Sequence, residues 1–190
     1  MGRVIGQTEE AIVKSSAPES LLGDFFAEAM LAEGKKLDPS IQFTFATKGG
    51  LRSGFGKGDI KVSDVFELMP FENEMVILKL SGANVQKVIE FIASKDGQPV
   101  AGITMKIKNH VASDVTIAGK PFDISQSYNL LTYDYLANGG DDLTCLSNPI
   151  ERRNVGKKVR DALMDYIGEQ TKNGKKINPQ IDGRIVVTND

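Results

Sequence analysis

The chain has 190 residues and carries 23 Lys and Arg against 25 Asp and Glu, a net charge of −2. This length suits one domain, and the balance excludes a general phosphate-backbone binder, which needs clustered cations. One histidine and one cysteine exclude an internal disulfide and the imidazole- or thiolate-rich sites of zinc, iron and copper hydrolases.

Val4 to Lys14, rich in Val, Ile and Thr, predicts a first strand. From Glu19, the recurrence of Leu21, Leu22, Phe25, Phe26, Ala29 and Met30 predicts a helix ending near Gly34-Lys35-Lys36. Gln42 to Thr47 alternates as a half-buried strand, and Lys48 to Asp59 is too glycine-dense for anything but a loop. Val62 to Leu68 predicts a short helix stopped at Met69-Pro70, and Met75 to Leu80 a continuous apolar strand. Ser81 caps a helix carrying Val85, Val88, Ile89 and Ile92 on one side, which Asp96-Gly97 ends.

Ile103, Met105 and Ile107 alternate with polar neighbours, Val115 and Ile117 mark the next strand, and Tyr128 to Tyr133 another. After a loop at Ala137 to Asp142, a long helix is predicted from about Asn154 to Gln170, with Val155, Val159, Leu163 and Ile167 inward. Arg184 to Thr188 closes the chain as a strand. Hairpin-like strands interspersed with helices, without sustained βαβ alternation, predict an α+β class. The expected form is a single compact domain, residues 1–190, with mixed and antiparallel sheets and three or four packed helices. His110 is expected in a surface turn, Cys145 as a half-buried small residue, and no apolar run approaches the roughly 20 residues of a membrane span.

Three loops carry groups that can bind a ligand. The first lacks both the P-loop and the dinucleotide glycine spacings, but presents Arg52, whose guanidinium can hold an anion or pair with a nearby acid. The second, Pro70-Phe71-Glu72-Asn73, offers a ring of constrained direction and an amide able to read a heterocycle edge, unless Phe71 is a core plug. The third, Tyr133 to Asp141, sets Tyr135 ahead of Gly139-Gly140 with Asp141 six residues on. Aromatic stacking on a base contributes roughly 1–3 kcal/mol per ring, and a carboxylate can accept ribose hydroxyls; alternatively Asp141 braces the turn. A catalytic pair of Asp141 and Asp142 is disfavoured, since adjacent turn residues rarely point the same way.

Taken together, Gly49-Gly50-Leu51-Arg52, Gly58-Asp59-Ile60, Pro70-Phe71-Glu72-Asn73, Leu80-Ser81-Gly82 and Ala137-Asn138-Gly139-Gly140-Asp141 resemble the C-terminal domain of the 5'-nucleotidase / UDP-sugar hydrolase family. The resemblance spans nearly the whole chain. It implies that Phe71 and Tyr135 sandwich a base, Asn73 contacts its edge and Asp141 binds ribose. It further implies that Arg52 reaches toward phosphate and that Gly97 lies at the pocket wall. A divalent metal pair would belong to an N-terminal metallophosphoesterase domain that is absent from this chain, in which no cofactor is expected. The implied partners are a nucleoside or nucleotide and a metallophosphoesterase domain or chain, in a periplasmic or exported protein. Two departures stand out: Thr47-Lys48 precedes the Gly-Gly, where the family often has Asn or a further Gly. Only Lys14 occupies the stretch where some members place phosphate-holding arginines. The alternatives are a stand-alone nucleoside-binding protein and an interaction module with a decayed pocket.

Overall fold

The computed structural model describes residues 1–189. In chain order the elements are β1 (Val4–Thr8), α1 (Leu21–Leu37), β2 (Phe43–Phe45), β3 (Gly58–Lys61), α2 (Val62–Leu68), β4 (Glu74–Ser81), α3 (Gly82–Ser94) and β5 (Val100–Ala101). There follow β6 (Ile103–Lys108), β7 (Val111–Ile117), β8 (Lys120–Pro121), β9 (Ser127–Tyr133), α4 (Asp134–Ala137), β10 (Glu151–Lys158), α5 (Val159–Lys172) and β11 (Ile185–Thr188). The strands form a mixed five-stranded sheet in the order β10-β4-β9-β2-β5, a mixed four-stranded sheet β11-β6-β7-β8, and the antiparallel pair β1-β3. The class is α+β, with one contiguous apolar core.

Local chemistry accounts for most boundaries. The Ser20 hydroxyl accepts from the Gly23 amide at 3.0 Å and starts α1, and Ser81 caps α3 in the same way through Asn84. Strand β4 lies between β10 and β9, and its Met75 to Leu78 run is buried on both faces. Strand β6 alternates buried and exposed residues, as its sequence pattern requires. The β6–β7 hairpin turns on Asn109 and His110, both at positive φ, which places the single histidine on the surface. Helix α1 packs against α5 and over β2 and β5, and α3 packs against β4 and β7.

Three expected boundaries are corrected. The helix predicted from Asn154 begins at Val159, and Glu151 to Lys158 form the edge strand β10, where Asn154 pairs with Val76. The apolar spacing Val155-Val159-Leu163-Ile167 extended the helix one turn too far. Gly156 sits at φ +69°, outside the helical region, and Val155 is a half-buried strand residue. The first strand stops at Thr8, and Ile12 makes only an isolated bridge, with Ile12 N to Phe55 O at 2.9 Å and Phe55 N to Ile12 O at 2.8 Å. The glycine stretch becomes β3 already at Gly58, paired with Thr8.

Arg184 ties the last strand to the start of α1. Its side chain lies 3.3 Å from Asp24, donates to Asp182 at 2.9 Å and to the Val100 carbonyl at 2.9 Å, and pairs with Glu28. Glu19 accepts the Asp182 and Gly183 amides at 2.9 Å each. Asp24 is almost wholly buried, and its Oδ2 has no hydrogen-bond partner among the described residues. Burial first, and Glu19 second, push Asp24 up to about 9 against the opposing charge of Arg184. A folded value above the unfolded one means that the fold gains stability from the proton at low pH. That gain is lost as pH rises from about 4 toward 9. Asp24→Asn, which imitates the protonated acid, should therefore melt like the wild type near pH 4 and resist the decline from there toward pH 9. Parallel melting curves for the two proteins across that range would show that Asp24 is ionised in the fold.

Candidate functional site

Strand β9 ends at Tyr133, where its pairing with β4 stops and the backbone turns into the single helical turn α4. Tyr135 leaves that turn with half its surface exposed. Its ring lies over Gly140: a Cβ there would sit 2.5 Å from the Tyr135 carbonyl oxygen and 2.6 Å from its ring. The second glycine of the pair is thus required by the aromatic ring that covers it. Asp141 follows at φ +54° and Asp142 at φ +62°, two successive left-handed positions that Asp tolerates better than most residues. The Tyr135 hydroxyl donates to Asp141 Oδ1 at 3.0 Å, which fixes the carboxylate and raises the phenol above its ordinary range.

The opposite wall comes from the turn between α2 and β4. Phe71 is exposed, and Asn73, half-buried, points Nδ2 to Met69 Sδ at 3.9 Å. The Arg52 guanidinium stands 5.7 Å from the Phe71 ring centre, a cation–π arrangement. Its backbone amide is anchored on the Leu68 carbonyl at 2.9 Å. Among the described residues Arg52 has no acidic partner, so the pairing considered from sequence does not form. Phe71 is not a core plug.

Arg52, Phe71, Asn73, Tyr135 and Asp141 line one cavity of about 430 Å³, together with Thr47, Gly49, Gly50 and Tyr133. That volume lies within the range of small-molecule sites. Gly97, the sixth residue selected from sequence, is not among these lining residues. It is buried against Pro18, where a Cβ would meet the Pro18 carbonyl oxygen at 2.4 Å. Its neighbour Gln98 accepts the Lys48 amide at 2.9 Å and so supports the glycine turn from behind.

Tyr133 is the site residue that the sequence pattern did not single out. It reads as the inward end of a strand, and its ring is buried, yet its hydroxyl finds no hydrogen-bond partner among the described residues. Burial pushes this phenol up to about 12. The hydroxyl lies 3.0 Å, and the Thr47 hydroxyl 3.6 Å, from the point where a Gly50 Cβ would stand, so two hydroxyls face the bare glycine. The only signal available in the sequence was the departure Thr47-Lys48 ahead of the Gly-Gly.

Two other features lie outside this cavity. A larger groove of about 740 Å³ between β1, α1 and α5 is lined by groups that already pair with one another, including Lys36 with Glu33 and Glu169. Glu19, Asp24 and Asp182 bring carboxylate oxygens within 4.8 Å of one another. The cation among them is Arg184, and none of them lines the 430 Å³ cavity. They do not suit a hydrolytic metal pair, and neither does an exposed histidine in a hairpin turn or a half-buried Cys145 whose thiol burial pushes up. Among the described residues no helix is long and apolar enough to cross a membrane.

The chain is similar to several known proteins in sequence and in fold. The sequence profile described as 5'-nucleotidase, C-terminal domain matches residues 4–148. The trifunctional nucleotide phosphoesterase protein YfkN of Bacillus subtilis is 29% identical over 95% of this chain and 13% of its own length. The protein UshA of Yersinia enterocolitica is 29% identical over 66% of the chain and 24% of its own length. Among solved structures, a 5'-nucleotidase precursor from Thermus thermophilus superposes with a TM-score of 0.88 at 25% identity, over 99% of this chain and 40% of that one. The NAD nucleotidase of Haemophilus influenzae shares the fold, with a TM-score of 0.79 at 16% identity over 100% of this chain and 38% of its own. The chain thus spans well under half of each of these proteins, and over the part they share it belongs to the 5'-nucleotidase C-terminal domain family.

Proposed function

We propose that this chain recognises the nucleoside part of a nucleotide for a 5'-nucleotidase-type hydrolase. Phe71 and Tyr135 stack on the two faces of the base and Asn73 hydrogen-bonds its edge. Asp141, held by the Tyr135 hydroxyl, accepts the ribose hydroxyls, and Arg52 faces the phosphate side. One observation carries the reading: five residues chosen from three separate loops line the same cavity of about 430 Å³. The two exposed rings give that cavity apolar walls, and the amide and carboxylate give it the few polar groups that orient a ligand.

Hydrolysis belongs to a metal-bearing domain or a separate chain, because the donors in this chain do not suit a hydrolytic metal pair. Remote binding energy from the base would then hold the ester against those metals. We place the working assembly in the periplasm or outside the cell, on the family resemblance.

Calorimetry with adenosine, AMP and UDP-glucose, run beside a phosphatase assay with added divalent metal, tests both halves. The expected result is binding without turnover. Hydrolysis by the pure chain would overturn the division of labour. Absence of binding to all three ligands would favour a protein whose pocket has decayed.

A further inference from the structure

We infer that β10 and the first turn of α5 act as a brace that sets the positions of the two aromatic walls. The inference rests on the nucleoside reading above and adds positioning residues to it. The brace touches both ring-bearing loops. At one end, Arg152 donates through NH1 to Asn138 Oδ1 at 2.7 Å, inside the loop that joins Tyr135 to Asp141. At the other end, the Val159 amide donates to the Asn73 carbonyl at 2.9 Å. Arg160 donates to Glu72 Oε1 at 2.7 Å and approaches the Phe71 carbonyl at 3.5 Å, while Lys158 pairs with the other Glu72 oxygen. The residues on either side of Glu72 are the proposed ring and the proposed base reader.

Arg160 is built for this purpose rather than for general surface charge. It is almost fully buried, and its guanidinium stacks 3.9 Å from the Phe66 ring centre in α2, which ends just before the Phe71 turn. One planar group therefore joins α2, α5 and the turn, a geometry that a lysine cannot reproduce. Glu72 responds to its two cations: Lys158 first and Arg160 second lower it to about 2, so it stays ionised at any physiological pH. Strand β10 gains two residues relative to β4 between Asn154 and Lys158, where Asn154 faces Val76 and Lys158 faces Glu74. This bulge ends the pairing where the Asn73 carbonyl is delivered to Val159. All of the brace lies beyond residues 4–148, the part of the chain that matches the family profile. The matched part carries the rings, and the part outside it holds them.

The test is a mutant cycle on the whole 190-residue chain, with adenosine affinity read by calorimetry and fold by melting temperature. Glu72→Gln, on an exposed side chain, should weaken adenosine about 3- to 10-fold with little change in melting temperature, and Arg160→Met about 10-fold or more. Arg152→Ala should cost a few-fold. In a Phe71→Ala background, Arg160→Met should change affinity several-fold less than in the wild type, because most of its effect passes through the ring and the remainder through Asn73. Arg160→Lys should recover only part of the affinity that Arg160→Met loses. Should Arg160→Met fail to fold, Glu72→Gln in the same two backgrounds decides the matter. Affinities within twofold of wild type for all three single variants would overturn the brace and leave the nucleoside reading intact. Equal losses with and without Phe71 would also overturn it. No adenosine binding by the wild type would remove the nucleoside reading, and the brace with it.

Discussion

Replacing Phe71 and Tyr135 together by alanine is expected to weaken adenosine binding by about 30-fold to beyond 10,000-fold. The range follows from stacking at about 1–3 kcal/mol per ring and one decade of affinity per 1.4 kcal/mol. Both side chains are about half exposed, so neither contributes much to the core and the melting temperature should move little. The two rings are not equivalent. Phe71 also carries the Arg52 guanidinium on its face, so Phe71→Ala releases that cation as well as the stack. Tyr135 both stacks and orients Asp141, and Tyr135→Phe separates those roles. The ring remains over Gly140, while the 3.0 Å hydrogen bond to Asp141 is lost. A few-fold loss is expected for Tyr135→Phe, confined to ligands that carry ribose hydroxyls. Calorimetry with adenosine and 2',3'-dideoxyadenosine reads both effects. Unchanged affinity in the double alanine variant would show that the base is bound elsewhere.

How much of this was legible in the sequence depended on whether a property was local. The Ser81 cap and the alternation of β6 are decided by neighbouring residues, and each lies where the sequence puts it, whereas the glycine loop gives way to β3 at Gly58 through its distant pairing with Thr8. The helical turn assigned to 154–158 failed because apolar spacing alone decided it. What overrides that spacing is the pairing of Asn154 with Val76, 78 residues earlier in the chain, together with Gly156 at positive φ. The same limit applies to the site. Residues with unusual chemistry in a loop, such as Arg52 and Tyr135, stood out as candidates, and the family resemblance, not any one residue, implied their roles. Tyr133 did not stand out, because it looks like any inward-facing end of a strand. Its significance lies in a hydroxyl left without a partner against Gly50, a relation that exists only in three dimensions. Arg160 was hidden for a related reason: on a helix pattern it is one more surface cation. Only the fold shows that it lies under the Phe71 turn.

The glycine loop itself permits a second large effect. Gly54→Ala is expected to destabilise the protein by about 3 kcal/mol, at the upper end of overpacking costs. In a domain of this size that corresponds to a fall in melting temperature of roughly 6–12 °C. The cause is a close backbone approach: a Cβ on Gly54 would stand 2.0 Å from the Ile12 carbonyl oxygen and 2.9 Å from the Val13 Cα. Ile12 and Phe55 exchange two hydrogen bonds at that point, and both side chains are buried. Phe55 in turn meets Phe25 edge-on at 5.4 Å, so displacing the Ile12 segment disturbs the packing of α1. Gly56, two residues on, provides the control. Nothing lies within 4 Å of its Cβ position and its φ is not positive, so Gly56→Ala should melt within about 0.5 kcal/mol of wild type. Arg52 is anchored from the other side, through its amide on the Leu68 carbonyl, so Gly54→Ala that still folds at low temperature should keep most of its adenosine affinity. Equal melting temperatures for the two variants would mean that the chain crossing at Ile12 is looser than the 2.0 Å approach requires. Loss of affinity in folded Gly54→Ala would show that the Ile12–Phe55 bridge, and not the Leu68 contact, holds Arg52 in place.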